Sequence, residues 1–243
     1  MTSEFKTYIQ NSGFKTDDFE NANYFYMSGW KMYVPDEKQE EFLTNYYNLI
    51  YKNNQVSTLL EKPHPEYNQI RIDIDLKYLI KDKKDIENLN HRYNYDIIKM
   101  IIERYVVIAS EYFDIPKKGV KFTVFEKKSA SVKGGIKNNE KYIKDGIHIL
   151  CPDIVVSNTI LLAIYDDIIN DKETQYIVNN FGTDEPINKI IDKAVICKNG
   201  WLVLGSGKVV DKSDNYYKTT KTFNVKYVEG TQEVQIKEIC SNR

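Results

Sequence analysis

The apolar residues of this chain recur with two different periods, and the period changes along its length. Apolar and polar residues alternate, as in half-buried strands, at residues 69–77, 120–126 and 146–151. Apolar residues recur every three to four positions at residues 37–53, 86–113, 158–169, 173–180 and 186–192, which predicts helices. Ser157 stands where it can cap the helix that begins at residue 158. This mixture indicates an α/β (α+β) fold.

Turn-forming residues add detail to the last part of the chain. Asn199-Gly200 is a strong hairpin signal, so the apolar runs at 194–197 and 201–204 are predicted to pair as strands. Residues after Lys221 are predicted to form terminal strands. The hydrophilic segment around Gly134-Gly135 is predicted to be a loop that moves when no substrate is bound.

The composition is that of a globular protein, with 243 residues of which 42% are hydrophobic and 28% charged. Such a chain can bury a sizeable core, as one large domain or as two closely packed subdomains. It has no apolar run of bilayer length and no signal-peptide pattern, so we expect an intracellular protein with no membrane partner. Cys151, Cys197 and Cys240 lie far apart, which argues against a zinc cluster and a disulfide framework.

Charge is unevenly distributed although the formal net charge is only −1. Between residues 117 and 144 there are nine lysines against two glutamates, a local balance of 9 − 2 = +7. A segment of this kind can hold phosphates, and we expect Lys127, Lys128 and Lys133 to contact nucleic acid. A solvated loop in a lysine-rich protein explains the same pattern equally well.

Two aspartates, Asp73 and Asp75, lie one residue apart in the first predicted strand. Alternate side chains of a strand share a face, so both carboxylates point the same way. Like charges repel, and a pair aimed into one space usually has a cation between them, such as Mg²⁺ or Mn²⁺. The alternative is a solvated or salt-bridged pair, for example Asp75 with Lys77.

His148 lies between two isoleucines in the third predicted strand and therefore projects from the opposite face. Gly146, on the same face as His148, leaves room for a ligand to come close. Next to a phosphate, this histidine would donate a hydrogen bond in its charged form. The alternative is a histidine satisfied within the core or at a sheet edge.

A third candidate region begins at Asp192 and continues to a Gly-Ser-Gly-Lys run that carries Ser206 and Lys208. A P-loop requires G-x-x-x-x-G-K-[ST], and Leu202 and Val209 occupy its first glycine and final hydroxyl positions. A Walker-type ATPase is therefore not expected. The serine and lysine could still contact a nucleotide phosphate, and Asp192 could complete a carboxylate cluster with the aspartate pair.

In this order, the three segments resemble the motifs of the archaeo-eukaryotic primase superfamily: a D-x-D strand, an [S/G]-x-H strand and a later carboxylate. The primase domains of primase-helicases from large nucleocytoplasmic DNA viruses are especially similar. The matching runs are Ile-Asp-Ile-Asp-Leu-Lys at 72–77, Asp-Gly-Ile-His-Ile at 145–149 and Ile-Asp at 191–192, followed by Trp201 and by Gly-Ser-x-Lys at 205–208. The resemblance extends over residues 24–208. Gly146 replaces the serine of many relatives, and residues 199–204 lack an arginine found in some primase-polymerases.

The resemblance implies a single catalytic domain over residues 1–243, with an α/β unit at 1–115 packed against an RRM-like unit at 116–243. The active site is expected in the cleft between them. Asp73, Asp75 and Asp192 would hold two divalent metals, Mg²⁺ or Mn²⁺. The triphosphate of the incoming nucleotide would be bound by four residues: His148, Lys144, Ser206 and Lys208.

The implied activity is that of a DNA primase, which joins NTPs or dNTPs on a single-stranded DNA template during viral replication in the host cytoplasm or nucleus. In the similar viral proteins a helicase ATPase follows the primase on one polypeptide. No Walker motif is present here, so either this chain is the N-terminal part of such a protein or the helicase is a separate protein, and we favour the first. Two alternatives stay open. One is a metal-dependent nuclease or phosphohydrolase that uses the same carboxylates, and the other is a non-catalytic module that binds DNA, nucleotide or a partner.

Overall fold

The computed structural model describes residues 2–53, 55, 57–134, 141–207, 216–229, 231 and 233–239. The helices of this part of the chain are α1 (Ser3–Asn11), α2 (Gln39–Tyr46), α3 (Lys83–Glu87), α4 (Tyr95–Ala109), α5 (Asn158–Asn170), α6 (Lys172–Asn179), α7 (Ile187–Ile190) and α8 (Ala194–Cys197). Its strands are β1 (Lys15–Thr16), β2 (Tyr24–Tyr26), β3 (Lys31–Met32), β4 (Leu59–Glu61), β5 (Tyr67–Leu79), β6 (Val120–Glu126), β7 (Ser131–Gly134), β8 (Lys141–Ser157), β9 (Trp201–Leu202), β10 (Lys218–Val228) and β11 (Glu233–Ile239). The predicted α/β class is confirmed.

The chain divides into two compact units. The first consists of Met1–Pro65 and Lys198–Lys218, and the second of Glu66–Cys197 and Thr219–Arg243. The division predicted near residue 115 falls inside the second unit, between α4 and β6. Strands from both sides of residue 115 share one sheet, because β8 pairs with β5 on one side and with β6 on the other.

The first unit is built around a five-stranded antiparallel sheet with the order β1-β3-β2-β4-β9. Helix α1 begins where the Thr2 hydroxyl accepts a hydrogen bond from the Phe5 N–H. Phe5 and Ile9, one helical turn apart, are both buried in the core of this unit. Helix α2 presents Phe42 and Tyr46 to the same core. A 3₁₀ turn at Asp36–Lys38 precedes α2 and a π-helical turn at Tyr47–Tyr51 follows it, so the helix predicted at 37–53 is confirmed with irregular ends.

The predicted hairpin of residues 194–197 and 201–204 is wrong. Residues 194–197 form the short helix α8, which begins where the Asp192 carboxylate accepts a hydrogen bond of 2.8 Å from the Ala194 N–H. Strand β9 pairs with β4 instead, with Leu60 opposite Leu202. The Asn199-Gly200 turn lies just after the point where the chain passes from the second unit into the first.

The second unit contains a six-stranded sheet. Five of its strands follow the order β11-β10-β6-β8-β5, and the sixth, β7, pairs with the N-terminal end of β8. One face of this sheet is covered by helices. The buried side chains of that face include Ile72, Ile74, Phe122, Ile147 and Ile149, which pack with the apolar stripe of α4 (Ile97, Ile98, Ile101, Ile102, Tyr105, Val106 and Ala109). This apolar face forms the core of the unit.

Strand β8 is longer than predicted, with 17 residues that run through Pro152. Its pairing with β5 shifts register at this point, since Ile70 lies opposite Cys151 whereas Gln69 lies opposite Val155. A bulge is one of the few places where a sheet tolerates proline, which lacks an N–H for the ladder. The proline therefore marks an irregularity and not the end of the strand.

The long helix predicted at 86–113 is shorter than expected. The Asn94 side chain accepts hydrogen bonds from the Asp96 and Ile97 N–H groups and starts α4 at Tyr95. A separate short helix, α3, begins at a capping box formed by Asp82 and Asp85. Strong caps thus divide a stretch that the apolar period alone does not divide.

The remaining predicted elements have simple outcomes. Helix α5 with its Ser157 cap, helices α6 and α7, and the terminal strands β10 and β11 are confirmed. Gly134 ends β7, and the predicted mobility around Gly134-Gly135 concerns residues 135–140, which lie outside the described residues. Among the described helices, none is long and apolar enough to span a bilayer.

Candidate nucleotide-binding site

The two motif strands pair directly with one another in the second unit. Strands β5 and β8 run antiparallel, with Asp73 opposite His148 and Asp75 opposite Gly146. His148 Nε2 lies 3.4 Å from Asp73 Oδ1. Side chains that are directly opposite in a sheet share a face, so the D-x-D and G-x-H motifs contribute to a single surface.

Burial on the other face fixes this arrangement. Ile72, Ile74 and Leu76 alternate with the aspartates and are at most 1% exposed. A slip of one residue would turn these side chains to the polar face and drive both carboxylates into the apolar core. On the third strand of the surface, Phe125 lies opposite His148 and places a half-buried aromatic ring beside it.

Lys144 forms an ion pair with the second aspartate of the motif. Its Nζ lies 3.0 Å from Asp75 Oδ2, and the two side chains are 27% and 29% exposed. Burial lowers the pKa of Lys144, but the charge and hydrogen bond of Asp75 and the charge of Asp73 outweigh it, so that the pKa is raised overall. The charged ammonium group of Lys144 is thus held against Asp75. Asp75 pairs with Lys144 and not with Lys77, whose Nζ lies 3.6 Å from Glu185.

Asp192 reaches the edge of the same sheet through its backbone. Ile191 forms an antiparallel bridge with Ile74, and the Asp192 N–H donates to the Asp73 carbonyl over 2.9 Å. In an antiparallel pair the positions flanking a bridge also oppose one another, so Asp192 lies opposite Asp73. Its carboxylate caps α8, and the residue lines a small cavity together with Arg71 and Tyr165.

The three carboxylates fit a magnesium or manganese site in donor chemistry, and the backbone pairing sets Asp192 opposite Asp73. All supply hard oxygen ligands, and Asp73 and Asp75 are separated by about 7 Å along the strand. Their side chains are not gathered, since no group of three or more His, Cys, Asp or Glu among the described residues is arranged to hold a metal ion. Lys144 lies against Asp75, and Asp192 accepts from a helix N-terminus. The metal set of Asp73, Asp75 and Asp192 stays a prediction.

Ser206, one of the predicted phosphate contacts, lies in the first unit and is completely buried. Its Oγ accepts a hydrogen bond of 3.1 Å from the Leu59 N–H and lies 2.8 Å from the Tyr46 hydroxyl. These contacts join β4, α2 and the segment after β9. Ser206 therefore has a structural role, and its contact with a nucleotide stays a prediction. Lys208 lies outside the described residues.

The lysines predicted to contact nucleic acid lie near the β6–β7 connection. Lys127 is half-buried and Lys128 is exposed, both directly after β6. Lys133 lies on β7 opposite Tyr142, and the neighbouring Ser131 lies opposite Lys144. Strand β7 therefore extends the surface that carries Lys144. Contact of these lysines with nucleic acid stays a prediction.

A second carboxylate cluster, on the opposite face of the sheet, was not predicted from the sequence. Asp145 and Glu126 are 4% and 3% exposed. Each continues the apolar alternation of its strand, Asp145 between Ile143 and Ile147 and Glu126 after Val124. That alternation was the available signal, because a carboxylate at a core position requires dedicated partners.

The partners of the buried carboxylates are well defined. Glu126 accepts hydrogen bonds from the hydroxyls of Tyr93 (2.8 Å) and Tyr95 (2.6 Å), and from the Thr220 hydroxyl. Asp145 accepts from the Gly146 N–H over 2.9 Å and pairs with His91, whose Nδ1 lies 2.9 Å from Oδ2. We name these six side chains (His91, Tyr93, Tyr95, Glu126, Asp145 and Thr220) the buried polar cluster.

Comparisons with known proteins agree with the family resemblance drawn from the sequence. Residues 24–223 match the family model described as the "C962R protein N-terminal AEP domain", where AEP denotes archaeo-eukaryotic primase. The matched range contains every predicted site residue. A curated relative, the "Putative helicase L207/L206" of Acanthamoeba polyphaga mimivirus, is 25% identical over 178 residues, which is 73% of this chain. The match spans only 17% of the length of that relative.

Proposed function

The chain belongs to the archaeo-eukaryotic primase family whose model it matches, which confirms the resemblance of its motifs, and on this basis we propose that it is a DNA primase. Families of this kind carry primase-type nucleotidyl transfer. The finer proposal is metal-dependent synthesis of primers from NTPs or dNTPs on single-stranded DNA, in the replication of a viral genome.

One observation supports this proposal most strongly: the register that sets Asp73 opposite His148 and Asp75 opposite Gly146. This register places two carboxylates and an imidazole on one surface, and Gly146, which has no side chain, leaves open space beside Asp75. Carboxylates suit a divalent cation, whereas an imidazole and an ammonium suit the phosphates that such a cation binds. The site therefore has donors for both parts of a metal–nucleotide complex.

Asp73, Asp75 and Asp192 would hold Mg²⁺ or Mn²⁺, which when bound supplies activation of the attacking 3′-hydroxyl and charge neutralisation at the leaving pyrophosphate. The protein groups do the positioning. His148 would donate from its ring N–H to a phosphate oxygen, and Gly146 would leave space for that phosphate beside Asp75. Lys144 would exchange its present partner, Asp75, for a phosphate of the nucleotide.

The second part of the proposal concerns the partners. The matched relative is named as a putative helicase, and this chain spans 17% of its length. We place the primase domain on one polypeptide with a helicase ATPase domain, so that primers are made on the single strand that unwinding exposes. The template would lie along the lysines near the β6–β7 connection.

The experiment is primer synthesis on a single-stranded template with labelled NTPs or dNTPs and either Mg²⁺ or Mn²⁺. The wild-type chain is compared with Asp73→Asn and Asp75→Asn, which keep the side-chain shape and remove the charge. Asp184→Asn, at an exposed position between α6 and α7, is the matched control. We expect extension products from the wild type and the control and none from the two motif variants.

Three results would contradict the proposal, and each identifies what replaces it. Equal products from the wild type and the motif variants would place the chemistry elsewhere. Degradation of the DNA without added nucleotide would indicate a nuclease that uses the same carboxylates. Absence of products together with absence of Mn²⁺ and nucleotide binding in calorimetry would indicate a non-catalytic module.

A further inference from the structure

His91 contacts two groups that can only accept hydrogen bonds. Its Nδ1 lies 2.9 Å from Asp145 Oδ2 and 3.2 Å from Oδ1, and its Nε2 lies 3.0 Å from the Lys127 carbonyl oxygen. A carboxylate and a backbone carbonyl have no proton to donate. A neutral imidazole has one N–H and could satisfy only one of these partners, whereas an imidazolium satisfies both. The geometry therefore selects the doubly protonated ring.

The two partners belong to different parts of the second unit. Asp145 lies on β8 between Lys144 and Gly146, and its carboxylate also accepts from the Gly146 N–H. Lys127 is the first residue after β6. A backbone bond reinforces the link, since the Ala130 N–H donates over 3.0 Å to a carbonyl two residues before His91. One side chain thus ties the connection after β6 to the strand that carries the phosphate-binding candidates.

The charged groups around His91 favour the imidazolium. Asp145 on β8 and Glu126 on β6 are both buried carboxylates. The neighbouring Tyr93 hydroxyl donates to Glu126 and lies 3.3 Å from His91 Nδ1. On β5, Tyr78 carries the Arg92 guanidinium over its ring. The hydrogen bond to Asp145 raises the pKa of His91 above the usual range, against burial, which lowers it, and with help from the charges of Asp145 and Glu126.

We infer that His91 is a positioning residue whose imidazolium holds the connection after β6, which begins at Lys127, in place relative to β8. Deprotonation of His91 releases one of its two contacts. The consequence for DNA binding rests on the proposed function, because it assumes that Lys127 and Lys128 contact the template. The positioning itself is a property of the free chain. No nucleotide, metal or DNA is required to observe it.

The sign of the pH dependence follows from the charged state. Since the folded chain favours the imidazolium, the stabilisation by His91 is complete at pH values below its usual pKa and is lost as the pH rises through the raised pKa. Above that point a neutral ring can keep its bond to either Asp145 or the Lys127 carbonyl. The lost bond is charge-assisted, which makes it stronger than a bond between neutral groups.

The first test is the proton count of the ring, measured by long-range ¹H–¹⁵N NMR spectra of the whole chain at a series of pH values. The His91 signal is assigned from its loss in His91→Gln, and His64→Gln serves as the matched control at an exposed histidine. We expect the His91 ring to keep both nitrogens protonated up to a pH above the usual pKa of histidine and to lose the second proton only beyond it. Loss of that proton at or below the usual pKa would overturn the inference, whatever the catalytic activity of the chain.

The second test measures position. The protection of the Ala130 amide against hydrogen exchange, relative to the intrinsic exchange rate at each pH, should fall about tenfold in His91→Gln, and in the wild type as His91 deprotonates, because one charge-assisted bond is lost. His64→Gln should leave it unchanged. Equal exchange in the wild type and His91→Gln would overturn the inference. Anisotropy with single-stranded DNA then separates the two proposals, because faster exchange without weaker binding would count against Lys127 and Lys128 as template contacts and leave the positioning role intact.

Discussion

The six-stranded sheet of the second unit carries two groups of carboxylates, one on each face, and their partners differ in kind. On the polar face, Asp73 and Asp75 are partly exposed, and Asp75 lies against a lysine that is also partly exposed, whereas the histidine beside Asp73 is buried. On the core face, Asp145 and Glu126 are buried and have fixed donors on neighbouring segments. A carboxylate with exchangeable partners can receive a cation, whereas one with fixed partners holds the fold together.

This comparison predicts opposite effects of the same chemical change. An Asp→Asn substitution removes a charge and keeps the side-chain shape. On the polar face the lost charge belongs to the proposed reaction, and its removal also relieves the repulsion between Asp73 and Asp75. On the core face the lost charge belongs to a buried carboxylate that pairs with the partly buried His91 ring, so its removal leaves the imidazolium without its nearest charged partner. The predictions below follow from this contrast.

The largest expected effect is on activity. Asp75→Asn should reduce nucleotide incorporation by about 10²- to 10³-fold, the usual cost of removing one group that stabilises developing charge. The free energy of unfolding, measured by urea denaturation, should fall by less than about 0.5 kcal/mol because the pair with Lys144 is partly exposed. A large loss of stability in this variant would contradict the division between the two faces.

The matching change on the core face should act on stability. Asp145→Asn should lower the free energy of unfolding by about 2 kcal/mol, since it removes the charge that His91 contacts and weakens the bond from the Gly146 N–H. Urea denaturation at a pH below the usual pKa of histidine gives the measurement. If Asp145→Asn were as stable as Asp75→Asn, the buried polar cluster would not stabilise the fold as described.

A third substitution tests the structural role of a residue that was predicted to bind phosphate. Ser206→Ala should lower the free energy of unfolding by about 1 kcal/mol, because the Leu59 N–H and the Tyr46 hydroxyl lose a buried partner. Ser12→Ala, at a partly exposed position after α1, is the matched control in the same unit. Loss of nucleotide affinity without loss of stability would reverse the assignment and make Ser206 a phosphate contact.

The smallest expected effect concerns the exchange of Lys144 between partners. Lys144→Gln removes the ammonium that competes for Asp75, so Mn²⁺ should bind up to about fivefold more tightly, in line with the strength of a partly exposed ion pair. Binding of a nucleoside triphosphate should weaken, because a phosphate contact is lost. Calorimetry measures both affinities. Weaker Mn²⁺ binding in Lys144→Gln would show that Lys144 supports the metal site instead of competing with it.

The motif strands could be predicted because their information is local. Alternation predicts that Asp73 and Asp75 share one face of their strand and that His148 projects from the polar face of the other strand. Because the isoleucines between them must be buried, only one register is possible between these two strands. Helices with a clear apolar stripe or a serine cap, such as α5, followed in the same way. Periodicity and capping act over a few residues and can be found without knowledge of the fold.

The features that were missed depend on contacts between distant segments. The partner of β9 is β4, far away in the sequence, so a local turn signal at Asn199-Gly200 suggested the wrong pair. The β8 strand continues past Pro152 because a bulge absorbs the proline. His91 owes its role to Asp145 and to the Lys127 carbonyl, and its own neighbours in the sequence give no sign of either.

The central claim is that the surface formed by Asp73, Asp75 and His148 binds a metal–nucleotide complex. The most direct test is a crystal structure of the chain with Mn²⁺ and a non-hydrolysable nucleoside triphosphate, in which anomalous scattering locates the manganese. The account predicts an anomalous peak coordinated by the Asp73 and Asp75 carboxylates, with a phosphate oxygen within hydrogen-bond distance of His148 and the Lys144 ammonium moved away from Asp75. A bound nucleotide elsewhere, or manganese that leaves the Asp75–Lys144 pair intact, would contradict it.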